Sequence, residues 1–353
     1  MPNQPCLRVF SRGLCRKEIN MKKFINAPED IVDEMLKGIL AAHPKDLTCT
    51  AGHLRCIVRK RIPDKVTLMS GGGSGHLPLF MGYVGHGLLD GCAVGGVFRY
   101  PSHEYMLEVT RAINKGNGIL YIYGNYARDK MNFEKAAGMA ELEKIYPLQV
   151  VVTDDVASAP KGEEKKRRGV AGLFFVFKAA GAAAEEGQEI EDVQLIAQKA
   201  AANVRTMGVA LSPCVIPEVG KPLFTLGKDE MEMGMGIHGE PGIKRSRLEP
   251  VDAVVTKMMD KILGDMPLNR GDVVSVLING LGATPKEELY IAYRQVDNIL
   301  KNMNVKVFHV YVGEFATSME MAGFSISICK LDDELRRLMA KPARTPFFEQ
   351  VQL

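Results

Sequence analysis

The stretch Val66-Thr67-Leu68-Met69-Ser70-Gly71-Gly72-Gly73-Ser74-Gly75-His76 decides the fold. Val66 to Met69 read as a buried strand, and the glycines after Ser70 end it in a loop. The same unit recurs twice downstream. Ile119-Leu120-Tyr121-Ile122-Tyr123 runs into Gly124-Asn125-Tyr126, and Val150-Val151-Val152 ends at Thr153-Asp154-Asp155. Helical patterns lie between the strands, from Glu104 to Asn114 and from Met131 to Tyr146. Continuous apolar strands alternating with helices predict an α/β fold with a mostly parallel sheet flanked by helices.

The rest of the chain repeats the theme. An Ala-rich helix is predicted from Val170 to Glu186, and another from Asp192 to Thr206. Residues 214–250 are rich in Gly, Pro and Met and lack helical periodicity. Val273 to Ile278 is a buried strand. Thr284, Pro285 and Glu287 open the next helix with a capping box, whose buried stripe is Leu289, Ala292, Val296, Leu300 and Met303. Strands follow at Val305 to Val312 and Ser325 to Cys329. The expected organisation is therefore a disordered extension over residues 1–20, one α/β domain over 21–206 and a second over 207–353, each with a mostly parallel sheet. The charged run from Lys161 to Arg168 reads as a solvated surface or a partner contact.

Composition narrows the function. The chain has 353 residues, 46% of them hydrophobic and 25% charged, which is ordinary globular composition. No apolar run approaches the roughly 18 residues of a membrane span. The net charge of +3 sits in residues 1–20, where Arg8, Arg12, Arg16 and Lys17 face Glu18 alone; the remainder balances 41 basic against 41 acidic residues. With no basic stripe elsewhere, a nucleic-acid partner is not expected. Residues 1–20 also lack the apolar core of a signal peptide, and read as an upstream start or a mobile tail. The seven cysteines form no CxxC pair and are odd in number, which points to reduced thiols and a cytoplasmic protein. His43, Cys49, His53 and Cys56 crowd together but fit no zinc spacing, so no metal site is expected.

In open α/β sheets, ligands sit beyond the carboxyl ends of the strands, and three loops there carry polar groups. Gly71 to His76 offers bare backbone N–H donors. It is not a P-loop, because no Gly-Lys-Ser/Thr follows, and it lacks dinucleotide spacing, so no cofactor is expected on this chain. The second loop holds Asn125, Tyr126 and Asp129; Asp129 is either a general base or the cap of the helix expected near Met131. The third, Gly234-Met235-Gly236-Ile237-His238-Gly239-Glu240-Pro241-Gly242, sets a histidine in bare backbone, as a ligand-facing group or as an ordinary exposed loop histidine.

Together and in this order, these loops resemble the dihydroxyacetone kinase family, in particular its ketose-binding K subunit. Arg167-Arg168-Gly169-Val170, Phe224-Thr225-Leu226, Asn279-Gly280-Leu281-Gly282-Ala283-Thr284-Pro285 and Gly323-Phe324-Ser325-Ile326 extend the resemblance, which runs from Met21 to about Pro346. It implies a substrate that is a short ketose. His238 matches the histidine whose nitrogen adds to the carbonyl and holds the sugar as a covalent hemiaminal. Asp129 matches the base that takes the hydroxyl proton, and His76 matches the residue that hydrogen-bonds the substrate oxygen. Substrate contacts are implied from Gly73, Ser74, Gly75, Gly124 and Asn125. ATP or ADP with Mg²⁺ is expected on a separate helical L-type subunit, for which this chain has no room, and the family implies a homodimer.

Two positions depart from the family. Leu77 stands where a Glu is usual, and Gly124 stands where a Lys is usual, a change expected to open space and remove a charged donor. Gly-His-Leu-Pro with Tyr-Gly-Asn-Tyr is more similar to the branch associated with erythrulose, so dihydroxyacetone and a tetrulose both remain candidates. A ketose-sensing paralogue that acts as a transcriptional co-regulator is the alternative to a kinase subunit.

Overall fold

The computed structural model describes residues 22–50 and 52–353; the extension expected over residues 1–20 lies outside them. Helix α1 (Ile31–Ala42) buries Val32 and Leu36. Six strands then form a first sheet: β1 (Leu47–Thr50), β2 (His53–Arg59), β3 (Thr67–Ser74), β4 (Gly91–Val97), β5 (Ile119–Gly124) and β6 (Leu148–Val152), in the order β1-β2-β4-β3-β5-β6. It is parallel from β4 through β3 and β5 to β6, and antiparallel only at the β1–β2–β4 side. Helices α2 (His103–Ile113) and α3 (Ala127–Leu142) cover one face, with Met106, Val109, Ile113, Phe133 and Ala136 in the core there. Helices α4 (Leu173–Glu185) and α5 (Ile190–Ala202) cover the other.

The second sheet begins with β7 (Val204–Ser212). A short hairpin of β8 (Val215–Ile216) and β9 (Lys221–Pro222) follows, then β10 (Glu230–Met233), β11 (Lys244–Arg247), α6 (Val251–Asp265), β12 (Val273–Gly280), α7 (Lys286–Asn302), β13 (Lys306–Gly313), β14 (Ala322–Leu331) and α8 (Asp333–Met339). The pair β15 (Ala343–Arg344) and β16 (Glu349–Gln350) closes the described chain. The sheet order is β11-β10-β7-β14-β12-β13. Here the expectation of a mostly parallel sheet is corrected: only β12 and β13 run parallel, and the other pairings are antiparallel. The error has a physical source. β12 is covered on both faces, and burial on both faces gives a continuous apolar run whatever the direction of the neighbour.

Two further boundaries move. The helix expected to reach Thr206 ends at Ala202, where Asn203 turns its amide back to the Lys199 carbonyl at 2.9 Å. The division expected at 206/207 therefore falls inside β7. Each half keeps a hydrophobic cluster of its own, but a third cluster spans the division. Every residue of α4 from Leu173 to Ala184 is buried, as expected of a helix that is apolar all round. Leu120 and Ile122 of the first sheet share its cluster with Leu277 and Tyr311 of the second. The Phe174 ring lies 4.9 Å from both Tyr311 and Phe315.

The charged run 161–168 is also only partly a solvated surface. Glu163 to Lys166 are half-exposed or exposed, but Arg167 turns inward and is 1% exposed. It donates two bonds to Asp265 of α6, at 3.0 and 2.5 Å, and a third to the Ala159 carbonyl. Among the described residues five cysteines are free, and no helix is long and apolar enough to cross a membrane.

Candidate functional site

The carboxyl end of β3 carries the first part of the site. Gly75 needs its glycine, since its φ is +102°, a region that L side chains rarely adopt. That turn drives His76 into the interior, where it is 0% exposed. Its Nδ1–H donates to the Thr317 carbonyl at 2.8 Å. A carbonyl only accepts, so Nε2 is the bare nitrogen of a neutral ring, and it is buried with no partner. Burial, with the charge of His238 second, pushes the His76 pKa down to about 3, so the ring stays neutral at working pH.

His238 comes from the opposite half of the chain and meets His76 edge to face, with ring centroids 4.8 Å apart. Tyr126 and Phe98 wall its other sides, at 4.7 and 5.9 Å. Its Nδ1–H donates to Glu240 Oε1, and its backbone N–H to Oε2, both at 3.1 Å. The carboxylate thus fixes the tautomer and leaves the Nε2 lone pair free. The side chain remains 24% exposed, so the cleft reaches it. Burial opposes ionisation of Glu240, but the hydrogen bond and charge of His238, with Arg168, outweigh it and hold the carboxyl at about 2. Arg168 lies 3.7 Å from Glu240 and is itself anchored by Asp155 at 2.7 Å. This chain of charges explains Gly236: a Cβ there would stand 2.0 Å from Glu240 Oε2 and 2.4 Å from Arg168 Nη1.

Asp129 is the third element. Helix α3 starts at Ala127, four residues before the expected Met131, so Asp129 falls in its first turn. It makes no capping hydrogen bond, and its Oδ1 is buried without a partner. Burial raises its pKa from the ordinary 3.8 to about 6, partly offset by His238. Asp129, His238, Glu240, Tyr126, Phe98 and Gly73 line one open cleft of about 260 Å³. Among the described residues no group of three or more His, Cys, Asp or Glu side chains could hold a metal ion.

The remaining expected contacts do not line this cleft, although Ser74 shares a small adjoining cavity with Gly73 and His76. The Ser74 hydroxyl is spent on the Gly95 carbonyl at 2.9 Å. Gly75 turns the chain and its carbonyl accepts from Met319 N at 2.8 Å. The Asn125 amide donates to the Lys165 and Arg167 carbonyls at 2.9 and 2.8 Å, so it pins that loop and does not line the cleft. Gly124 is buried, and its change does not open space: a Cβ there would meet the Gly169 carbonyl at 3.0 Å and the Tyr126 ring at 3.2 Å. Tyr126, which the second loop did bring forward, has a buried hydroxyl with no partner among the described residues. Two further contributors had no local signal in the sequence. Thr317 holds His76, and the buried Ser318 hydroxyl donates to the Ile237 carbonyl beside His238.

Comparison with known proteins bears on this arrangement. Residues 37–347 match the family described as the Dak1 domain. A PTS-dependent dihydroxyacetone kinase 2, dihydroxyacetone-binding subunit DhaK, from Listeria innocua is 46% identical over 331 residues, which are 93% of this chain and 99% of that one. A D-erythrulose kinase from Mycolicibacterium smegmatis is 41% identical, covering 94% of this chain but 57% of its own length. Among solved structures, a dihydroxyacetone kinase operon co-activator, Dha-DhaQ, superposes with a TM-score of 0.82 at 32% identity, over 88% of this chain and 96% of that one.

Proposed function

The chain belongs to the Dak1 family of dihydroxyacetone kinases, and from that premise we propose that it is the ketose-binding subunit of a kinase for a short ketose, dihydroxyacetone or a tetrulose such as erythrulose. The observation that carries this reading is His238, held by Glu240 with one nitrogen committed and the other free at the cleft. Nε2 attacks the ketone carbon. An N–C bond forms, the C=O π bond breaks, and the oxygen takes a proton from solvent to give a hemiaminal, the ring keeping its Nδ1–H as a cation. Glu240 balances the positive charge that develops on the ring. His76, neutral and with a bare Nε2, accepts a hydrogen bond from the substrate hydroxyls, and Gly73 brings backbone against the sugar. Polyols such as glycerol have no carbonyl to attack and are excluded.

The tether holds the terminal hydroxyl beside Asp129, an orientation effect worth several kcal/mol. Asp129 takes the hydroxyl proton during phosphoryl transfer, and a carboxyl titrating near 6 suits that task at neutral pH. The nucleotide, ATP or ADP with Mg²⁺, belongs to an L-type partner subunit and supplies the phosphoryl group. The protein acts as a cytoplasmic homodimer. A second reading, a ketose-sensing co-regulator, draws support from the co-activator likeness; the buried, unpartnered Asp129 oxygen favours the kinase, because a sensor needs the tether but no base.

The test is ¹³C NMR with dihydroxyacetone or erythrulose labelled at the carbonyl carbon. Wild-type protein is expected to move the resonance from the ketone to the tetrahedral region, and His238→Ala to leave it unmoved. An equal conversion by that variant refutes the assignment. Adding an L-type subunit and ATP then separates kinase from sensor by product formation.

A further inference from the structure

At the mouth of the cleft, the residue immediately before Asp129 is a cation that has no counter-ion among the described residues. Arg128 is exposed and lines the same cleft as Asp129 and His238. Its guanidinium donates to the Tyr100 hydroxyl and lies over the Tyr100 ring, 5.2 Å from the centroid. Both holds are to a neutral partner. Among the described residues, no carboxylate lies within salt-bridge distance of Arg128. Arg99, also on this rim, is instead bound to Glu218 at 2.6 Å. The next basic residue of the helix, Lys130, faces Glu134.

We infer that Arg128 is a catalytic residue of phosphoryl transfer, which leaves Tyr100 to bind the equatorial oxygens of the transferring group. This rests on the kinase reading above. The argument is electrostatic. The substrate hydroxyl attacks phosphorus, a new O–P bond forms, the bond to the leaving nucleoside diphosphate breaks, and the proton passes to Asp129. An ionised Asp129 repels the incoming phosphoryl group, and catalysis of such transfers is mainly positioning and charge neutralisation. A guanidinium already neutralised by a carboxylate has little field left to offer. Arg128 keeps its full charge, sits one residue from the base, and is held by contacts weak enough to exchange for a bidentate phosphoryl contact.

The experiment uses the chain with its L-type subunit and compares wild type with Arg128→Ala and Arg128→Lys. Arg128→Ala is expected to lower kcat roughly 10³-fold, the low end for an arginine that supplies transition-state charge, with the KM for ketose unchanged. Its affinity for ADP with Mg²⁺ and aluminium fluoride should fall by a similar factor, while affinity for ADP alone stays constant. Added guanidinium should restore part of the rate to Arg128→Ala, and Arg128→Lys should recover part of it through its point charge. The ¹³C adduct signal should be the same in all three proteins. An adduct-forming, active wild type whose Arg128→Ala variant keeps its rate and its aluminium fluoride affinity overturns the inference and leaves the kinase reading standing. Absence of the adduct or of transfer in wild type overturns the reading itself.

Discussion

Replacing Asp129 by Asn should make the protein more stable and nearly inactive at once. The folded protein raises this carboxyl from 3.8 to about 6 because it is buried, with one oxygen unpartnered. Holding it ionised therefore costs stability. The penalty is absent below pH 3.8, where the group is protonated folded and unfolded alike. It grows between 3.8 and 6 as only the unfolded chain ionises, and is complete above 6. A shift of roughly two units corresponds to ~3 kcal/mol, reduced to ~1–3 kcal/mol by solvent in the open cleft. Asp129→Asn removes the charge and keeps the shape, so at pH 8 it should raise Tm by on the order of 2–6 °C. At pH 3.5 the two proteins should melt together. Removing a positioned base should lower partner-dependent phosphorylation by about 10²–10⁴-fold, with the ¹³C adduct unchanged. Wild-type phosphorylation should itself fall as pH drops through 6. Thermal melts at the two pH values and a coupled kinase assay read all of this. A variant that is no more stable at pH 8 and equally active would refute both the burial argument and the role of the base.

Glu240→Gln keeps a hydrogen-bonding side chain but removes the charge opposite His238. Loss of a charge-assisted bond is worth about 1.5–3 kcal/mol, so ketose affinity, measured by NMR titration, should weaken roughly 10–100-fold. Gly236→Ala places a methyl 2.0 Å from Glu240 Oε2 and should displace that carboxylate; the adduct should be lost while the circular dichroism spectrum is retained. Arg167→Ala leaves Asp265, among the described residues, with Arg205 as its ionic partner, and denaturant titration should show a loss of about 3–5 kcal/mol; a loss under 1 kcal/mol contradicts the buried-clamp account.

Much of the site was legible because glycine is informative where backbone must come close. The runs around His76 and His238 marked two loops, and both converge on the cleft with Asp129. What was missed lacked a local signal. Thr317 reaches His76 across 241 positions, and no spacing rule connects them. β12 is an apolar run that shows no strand direction, and the alternation of Phe324-Ser325-Ile326-Ser327-Ile328 in β14 was not used, so the second sheet read as parallel. Ser74, Asn125 and Gly124 were expected at the substrate from the resemblance alone; the side chains of Ser74 and Asn125 are hydrogen-bonded to backbone carbonyls, which no local pattern announces. The start of α3 was misplaced because Arg128, Asp129 and Lys130 carry no apolar period; their helicity comes from the covered residues that follow, Asn132 and Phe133.

Helix α4 belongs to neither half of the chain. Both sheets use it as a common wall, so a cut near residue 203 would leave each fragment with an uncovered apolar surface, and exchange of halves between relatives should give misassembled hybrids. His76 and His238 therefore face each other across packing that the two halves share. On the function proposed above, discrimination among sugars rests on the chemistry of the tether at His238, formed where the two halves of the chain meet.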